Sequence, residues 1–303
     1  MRKLLCILVL LAGALCYYVT RPSTIHEKVG APAESAVLQT LPRGVPQDSF
    51  VRDLPRPLQL AWQGWHIREI ARSRIPREDW VSLKDMSPWL PKAQVAVEDK
   101  RFYSHHGVDP DGIIRATLVN IQNDEVVEGA STITQQLVKN LLLEADPSLR
   151  RKFTEAGLAF LVEARCSKQE ILEMYLNTTF LGAGATGVKQ ASQVYFGKKP
   201  KDLTLPQAAT LAGLPYAPTA LNPYNNWQGC KKRRNLVLNR MAEQEMITPE
   251  QLEDALDSPL GIGKWGCCMC EFFAHATHLS MFRCACAVQW CRWSTSAHSF
   301  PGL

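Results

Sequence analysis

Apolar positions recur at helical spacing through residues 61–260 and predict a domain built mainly from α-helices. In residues 151–165, Phe153, Leu158 and Val162 alternate with charged positions, a pattern typical of a helix that buries one face. Residues 88–98, 168–177, 207–214 and 234–244 predict further helices. Thr132 and Gln135 have the spacing of a capping box, so a helix is expected to begin there. Alternating valine and isoleucine positions are scarce, and little sheet is expected.

The chain begins with an apolar segment that predicts attachment to a membrane. Leu4 to Thr20 is an almost uninterrupted apolar run that follows Arg2 and Lys3. The run is slightly short of the roughly 20 residues that span a bilayer, so residues 1–22 are either a transmembrane signal anchor or a cleaved signal peptide. We favour the anchor, with the rest of the chain outside the cytoplasmic membrane. Residues 23–60 are rich in proline and predict a stalk linker to the domain at residues 61–260.

Residues 261–303 differ in composition from the predicted domain. Between Trp265 and Leu303 there is no lysine or aspartate, and six of the ten cysteines occur there. These cysteines could form a zinc site with His275 and His278, but the paired cysteine spacing of zinc modules is absent. We interpret the segment as a non-native, atypical tail without function, such as a product of a shifted reading frame. Because few cysteines lie in the domain, no disulfide framework is expected.

Composition and charge narrow the classes of partner. The 303-residue chain has 46% hydrophobic and 21% charged residues, as an ordinary globular protein does. Its formal charge of +5 favours contacts with anionic lipids, phosphates or nucleic acid. No base-reading motif occurs in the first 260 residues, so a nucleic-acid partner is not expected.

Two carboxylates bracket a run of hydroxyl and amide side chains. Glu98 ends an apolar helical stretch, where partial burial would make its carboxylate a better base. The alternative is an exposed Glu98 paired with Lys100 or Arg101. Glu155 has the spacing of an ordinary i,i+4 salt bridge with Arg151. A glycosidase would use the second carboxylate as a general acid, whereas neighbouring basic side chains suit a diphosphate leaving group.

Five ordered motifs carry a resemblance to a known family. Residues 98–107 read Glu-Asp-x-x-Phe-x-x-His-x-Gly, residues 129–136 read Gly-x-Ser-Thr-Ile-Thr-Gln-Gln, and residues 151–155 read Arg-Lys-x-x-Glu. Residues 168–177 read Lys-x-x-Ile-Leu-x-x-Tyr-Leu-Asn, and the fifth motif starts at Arg234. Over about residues 75–250 the chain resembles glycosyltransferase family 51, the domain of class A penicillin-binding proteins and of monofunctional peptidoglycan glycosyltransferases.

The resemblance implies a lysozyme-like helical fold with a smaller membrane-facing lobe. It also implies polymerisation of lipid II into β-1,4 glycan strands by inverting transfer, with release of undecaprenyl diphosphate. Glu98 would be the general base, and Glu155 would lie near the diphosphate, directly or through a divalent cation, Mg²⁺ or Mn²⁺. No organic cofactor is expected, and Asp99 would be structural. The implied substrate-binding residues are Ser131, Thr132, Gln135, Gln136, Lys139, Arg151, Lys152 and Asn177.

The expected partners follow from the same resemblance. They are lipid II, the undecaprenyl-diphosphate-linked glycan, the cytoplasmic membrane and other cell-wall synthesis proteins. The chain would be a single-pass protein of the bacterial inner membrane, with its catalytic domain on the periplasmic side.

Some features depart from the family pattern. Many relatives carry an arginine where this chain has Pro147, and Arg150 is the candidate substitute. The loop Gly184-Ala185-Thr186-Gly187 lacks an aromatic residue before its last glycine. No serine is followed three residues later by lysine and Lys-Thr-Gly is absent, so penicillin binding is not expected. The chain would be monofunctional or a truncated bifunctional protein. A lysozyme-like muramidase and an inactive cell-wall assembly scaffold are the alternative functions.

Overall fold

The computed structural model describes residues 51, 53–123, 129, 131–143 and 148–263. The predicted anchor at residues 1–22, most of the predicted stalk and nearly all of the predicted tail lie outside these residues. No helix in the described ranges is long and apolar enough to span a bilayer.

The described residues form a mainly helical structure, as predicted. The α-helices are α1 (Arg56–Trp65), α2 (Ile67–Arg74), α3 (Trp89–Glu98), α4 (Pro110–Asn123), α5 (Ile133–Leu142), α6 (Leu149–Arg165), α7 (Lys168–Thr178), α8 (Gly187–Phe196), α9 (Leu205–Gly213), α10 (Trp227–Glu243) and α11 (Pro249–Asp257). Short 3-10 turns occur at Arg77–Asp79, Leu83–Asp85, Pro200–Asp202 and Leu214–Tyr216. Within the described part the β-structure is a single isolated bridge between Phe180 and Thr186, so the expectation of little sheet is confirmed there.

Several helix boundaries differ from the sequence-based expectation. Helix α3 begins at Trp89, one residue later than predicted, and Pro88 is its N-cap residue. Helix α10 begins at Trp227, where the Asn226 side chain accepts a hydrogen bond from the Gly229 amide. Helix α1 begins at Arg56, inside the predicted stalk, because its buried Leu60 packs into the core.

Two hydrophobic clusters hold the helices together. The larger cluster centres on α5, α7 and α8, with Leu137, Ile171 and Tyr195 fully buried. The smaller cluster joins α3, α9 and α10 through small side chains such as Ala93 and Ala209, which let these helices pack closely. Glu98 is the last residue of α3, so it lies at the end of a helix held firmly by α9 and α10.

The glycine-containing loop after α7 needs one of its glycines for close packing. Gly187 has a φ of +77°, and a Cβ atom there would lie 2.3 Å from the carbonyl oxygen of Asn177. No larger residue fits without moving the backbone. The loop therefore returns the chain directly onto the end of α7, where α8 starts.

Candidate active site

Glu98 is held at the end of α3 with one carboxylate oxygen bound and the other available. Gln136 Nε2 donates a hydrogen bond to Glu98 Oε2 over 2.7 Å, and the Tyr175 hydroxyl donates to Gln136 Oε1 over 2.9 Å. Glu98 Oε1 is buried and has no hydrogen-bond partner among the described residues. Arg233 Nη2 lies 3.6 Å from it, too far for a hydrogen bond. Oε1 can therefore accept a proton from a bound molecule.

The environment of Glu98 makes it a stronger base than an exposed glutamate. Burial raises the pKa of the Glu98 carboxyl, while the Gln136 hydrogen bond and the charges of Arg233 and Lys139 lower it. The same burial, with the negative charge of Glu98 nearby, raises the pKa of Tyr175.

The alternative pairing of Glu98 with Arg101 is wrong. Arg101 instead forms ion pairs with Asp109, over 3.6 Å, and with Asp111. Its guanidinium is thereby held beside the start of α4. Glu98 is buried rather than exposed, which supports its interpretation as a desolvated carboxylate.

Glu155 lies on α6 and binds two cationic side chains. Arg151 Nη1 is 3.1 Å from Glu155 Oε2, and Lys152 Nζ donates to Glu155 Oε1. The predicted i,i+4 pair is present, but Glu155 is only 1% exposed, so this pair is not an ordinary surface salt bridge. Lys152 Nζ also donates to Ser131 Oγ over 2.7 Å. The buried Glu155 carboxylate thus holds two partly exposed cations close to Ser131, just before α5.

Thr132 and Gln135 use their side chains to start helix α5. Thr132 Oγ1 accepts a hydrogen bond from the Gln135 amide over 3.1 Å, and Gln135 Oε1 accepts one from the Thr132 amide over 3.0 Å. The predicted capping box is confirmed. Thr132 Oγ1 also donates to the Gly107 carbonyl over 2.6 Å. Both residues are buried, and their predicted contact with substrate stays a prediction.

The described hydrogen bonds of the Asn177 side chain are with residues other than Glu98, Glu155 and their partners. Its side chain is buried and bonds the backbone of Val81 in both directions, at 2.9 and 2.8 Å. This contact anchors the segment between two 3-10 turns to α7. The structure gives Asn177 a packing role, and its predicted contact with substrate stays a prediction.

Asp99 and His105 tie the first motif to the second. Asp99 Oδ2 lies 2.9 Å from His105 Nε2 and accepts a hydrogen bond from the Ile133 amide over 3.0 Å. The Gly107 amide donates to His105 Nδ1 over 3.2 Å, so the ring proton is on Nε2 and points at Asp99. A Cβ on Gly107 would lie 2.8 Å from the Ala159 backbone of α6. This loop therefore brings α3, α5 and α6 together.

The predicted residues fall into two groups linked by α5. Gln136 and the charge of Lys139 act on Glu98, while Ser131, which precedes the same helix, contacts Lys152 of the Glu155 group. The sequence-based reasoning missed Tyr175 as a partner of Gln136. It also missed Arg233, because the basic run at residues 231–234 does not show which member faces inward. Arg234, with which the fifth motif begins, is fully buried and donates to the carbonyls of Leu256 and Ser258.

The described residues do not form a ready site for a divalent cation. No group of three or more histidine, cysteine, aspartate or glutamate side chains in the described part could hold a metal ion. The Glu155 carboxylate already faces Arg151 and Lys152, which compete with a metal for the same oxygens. The expected Mg²⁺ or Mn²⁺ therefore stays a prediction, and no chemical step below depends on it.

The motif order and this geometry agree with a sequence match to a known family. The family described as Transglycosylase matches residues 64–242, more than half of the chain. This chain belongs to the transglycosylase family. The predicted family and the predicted enzyme class, a peptidoglycan glycosyltransferase, are thereby confirmed at the family level.

Individual relatives are similar to the chain over the same region. Penicillin-binding protein 1A of Aquifex aeolicus (strain VF5) is 47% identical over 190 residues, which are 63% of this chain and 26% of that protein. Penicillin-binding protein 1A of Haemophilus influenzae is 44% identical over 210 residues, 69% of this chain and 24% of that protein. Penicillin-binding protein 2D of Bacillus subtilis (strain 168) is 45% identical over 181 residues. This chain thus spans about a quarter of the length of these curated relatives.

A solved structure also aligns with part of the chain. The crystal structure of penicillin-binding protein 1A from Haemophilus influenzae aligns with 61% of this chain and 18% of that chain, at 27% identity and a TM-score of 0.36. The family assignment therefore rests on the sequence matches.

Proposed function

We propose that this chain polymerises lipid II into β-1,4 glycan strands at the outer face of the cytoplasmic membrane. The observation that carries the proposal is the Glu98 carboxylate, which is buried and desolvated and whose Oε1 has no hydrogen-bond partner among the described residues. Glu98 would take the proton from the 4-hydroxyl of the lipid II acceptor. The resulting oxygen attacks the anomeric carbon of the growing strand, and the bond from that carbon to the diphosphate breaks. Undecaprenyl diphosphate leaves, and the new linkage has inverted configuration.

The second group of residues suits the leaving diphosphate. Arg151 and Lys152 are partly exposed, and ion pairs with the buried Glu155 carboxylate hold both of them in place. A diphosphate carries its negative charge on several oxygens, which such cations and the Ser131 hydroxyl can bind. Lys139 is exposed on α5, its charge acts on Glu98, and it would neutralise charge that develops as the bond breaks.

The same arrangement argues against a muramidase. A glycosidase places a carboxylic acid beside the leaving oxygen of its sugar. Glu155 instead accepts hydrogen bonds from Arg151 and Lys152, so this side of the site presents positive charge rather than a proton on a carboxyl group. A diphosphate leaves without such a general acid once its charge is neutralised.

The exposed side chains of helix α4 support the prediction of a smaller, membrane-facing lobe in a lysozyme-like fold. Its described apolar side chains are largely exposed, at 41% for Ile113, 60% for Ile114, 55% for Leu118 and 71% for Ile121. Such a stripe is unfavourable in water and suits insertion into the interfacial region of a bilayer. This placement would hold the site beside lipid-linked substrates, with the predicted anchor at residues 1–22 attaching the chain to the same membrane.

The experiment is polymerisation of lipid II by the detergent-solubilised chain, followed by separation of the glycan products. Replacing Glu98→Gln should lower the rate at least 100-fold, because general-base catalysis typically contributes that much. Glu243→Gln is the matched control, since Glu243 is 60% exposed and pairs only with Arg240 at the surface. Retained polymerisation in Glu98→Gln would remove Glu98 from the proposal. Shortening of pre-made glycan without growth would support the muramidase, and an inactive wild type would support the scaffold.

A further inference from the structure

Arg233 is held beside Glu98 by three contacts. Its Nε donates a hydrogen bond to the Gly213 carbonyl over 3.3 Å, and its guanidinium carbon lies 4.3 Å from the centre of the Tyr216 ring. Its Nη2 is 3.6 Å from Glu98 Oε1. One side chain thus connects the end of α9, the 3-10 turn that follows it and the carboxylate at the end of α3.

Gly213 leaves the space that the Arg233 side chain occupies. A Cβ atom on Gly213 would lie 2.9 Å from Arg233 Cγ, closer than carbon atoms normally approach. The Gly213 φ is −80°, an ordinary helical value, so the backbone itself does not require glycine. Alanine at this position would therefore displace the Arg233 side chain while leaving its charge in place.

Tyr216 lies at the surface, outside the hydrophobic core, and offers one face of its ring to Arg233. Its side chain is 66% exposed, and the Arg233 guanidinium covers one face of the ring. A cation over an aromatic face is weakly attracted by the ring even at an exposed site. That is enough to favour one rotamer of a long side chain without making Tyr216 important for folding.

We propose that Tyr216 and Gly213 position Arg233 so that its guanidinium controls the ionisation of Glu98. The proposal rests on the proposed function, in which Glu98 is the general base. Arg233 is in this view a positioning residue, because it acts on substrate through the carboxylate and not by direct contact.

Few charged groups other than Arg233 act on the ionisation of Glu98 in the described part of the chain. Helix α5 contributes Lys139 and the neutral Gln136, and α7 contributes the neutral Tyr175 through Gln136. The adjacent Asp99 raises the pKa of Glu98. Helix α9, which also packs against α3, contains no charged residue. Displacing Arg233 therefore leaves Lys139 as the one cation known to act on Glu98 in the described part of the chain.

The sign of the effect follows directly. Arg233 favours the ionised carboxylate, so its displacement raises the pKa of Glu98. A base must be ionised to accept the substrate proton, and kcat/KM falls as the pH drops through that pKa. The acid limb of the pH profile should therefore move to higher pH when the contact is lost.

The test is the pH profile of kcat/KM for lipid II polymerisation by the full chain. Tyr216→Leu and Gly213→Ala should each move the acid limb upward by roughly 0.5–1 pH unit, and Arg233→Gln by about 1 unit or more. Tyr216→Phe keeps the ring and should restore the wild-type limb. Trp227→Leu is the matched control, because Trp227 is another exposed aromatic with a cation, Lys231, 5.9 Å from its centre.

A second measurement does not depend on activity. The ¹³C carboxyl signal of Glu98, assigned by its absence in Glu98→Gln, should titrate at higher pH in Tyr216→Leu and Gly213→Ala. An unchanged titration in both variants and in Arg233→Gln would overturn the proposal, as would a uniform loss of kcat/KM without a shift of the limb. Failure of the proposed function appears differently, as an inactive wild type or an active Glu98→Gln, while the titration still decides the role of Arg233.

Discussion

Glu98 and Asp99 are adjacent carboxylates with opposite surroundings. Glu98 Oε1 has no hydrogen-bond partner among the described residues, whereas Asp99 accepts bonds from the His105 ring and the Ile133 amide. Because both Asp99 contacts are with the protein, its carboxylate holds the loop after α3 against the start of α5. The neighbouring Glu98 is thereby free for chemistry. This difference agrees with the expectation that Asp99 is structural.

Loss of the Asp99 carboxylate should destabilise the fold. Asp99→Ala leaves the His105 Nε2 and Ile133 amide donors buried without partners, which should lower the free energy of unfolding by about 2–3 kcal/mol or more. Urea unfolding followed by circular dichroism measures the change. Asp111→Ala is the control, because Asp111 is 66% exposed and should change stability by less than about 1 kcal/mol. Equal effects of the two substitutions would contradict a structural role specific to Asp99.

Residue types alone do not separate binding roles from packing roles. Thr132, Gln135 and Asn177 belong to the motifs, yet their side chains bond the backbone of α5 and of Val81. Polar side chains become buried only when tertiary contacts supply partners, and such partners lie far away in sequence. For the same reason Arg233 could not be distinguished from its basic neighbours.

Helix α4 differs from α5 in the side chains it exposes. Its described buried positions are the small residues Gly112 and Ala116, while its large apolar residues face outward. In α5, by contrast, Ile133, Leu137 and Val138 are fully buried in the main cluster. The amphipathic pattern predicted several helices correctly, but it predicted neither α4 nor the exposure of its large apolar side chains in the described part of the chain.

Helix α4 should contact lipid directly. When the full chain is reconstituted in vesicles of phosphatidylethanolamine and phosphatidylglycerol with a photoactivatable phospholipid, illumination should label peptides from residues 110–123. Ile114→Asn with Ile121→Asn should reduce that labelling several-fold, because polar side chains oppose insertion. Leu236 on α10, 39% exposed, provides the reference peptide and should stay unlabelled. Equal labelling of both peptides would contradict a membrane-facing α4.

At the scale of the whole molecule, the packed domain continues past the predicted boundary at residue 260. Leu260 is buried, Ile262 packs against the main cluster, and the Gly263 amide donates to the Tyr195 carbonyl over 2.7 Å. These contacts attach the last described residues to α8. The packed residues therefore extend at least to Gly263, three residues beyond the predicted boundary at residue 260.

A chain that ends at Gly263 should retain its activity. Removing residues 264–303 should leave lipid II polymerisation within about twofold of the full chain, since the composition of this segment indicates a tail without function. A second truncation after Ser258, which removes Leu260 and Ile262, should lower the melting temperature by several degrees because buried apolar contacts are lost. Loss of polymerisation in the chain that ends at Gly263 would show that the tail contributes to function.

The sequence by itself determined the helical class, the family and the identity of the two carboxylates, because these depend on local periodicity and on motif order. The tertiary structure decided which polar groups have hydrogen-bond partners in the protein and which have none among the described residues. Gln136 approaches Glu98 from α5 and hydrogen-bonds one carboxylate oxygen, whereas Arg233 approaches the other oxygen from α10 without bonding it. Such an approach depends on how helices pack, and packing brings together residues that no spacing along the chain relates.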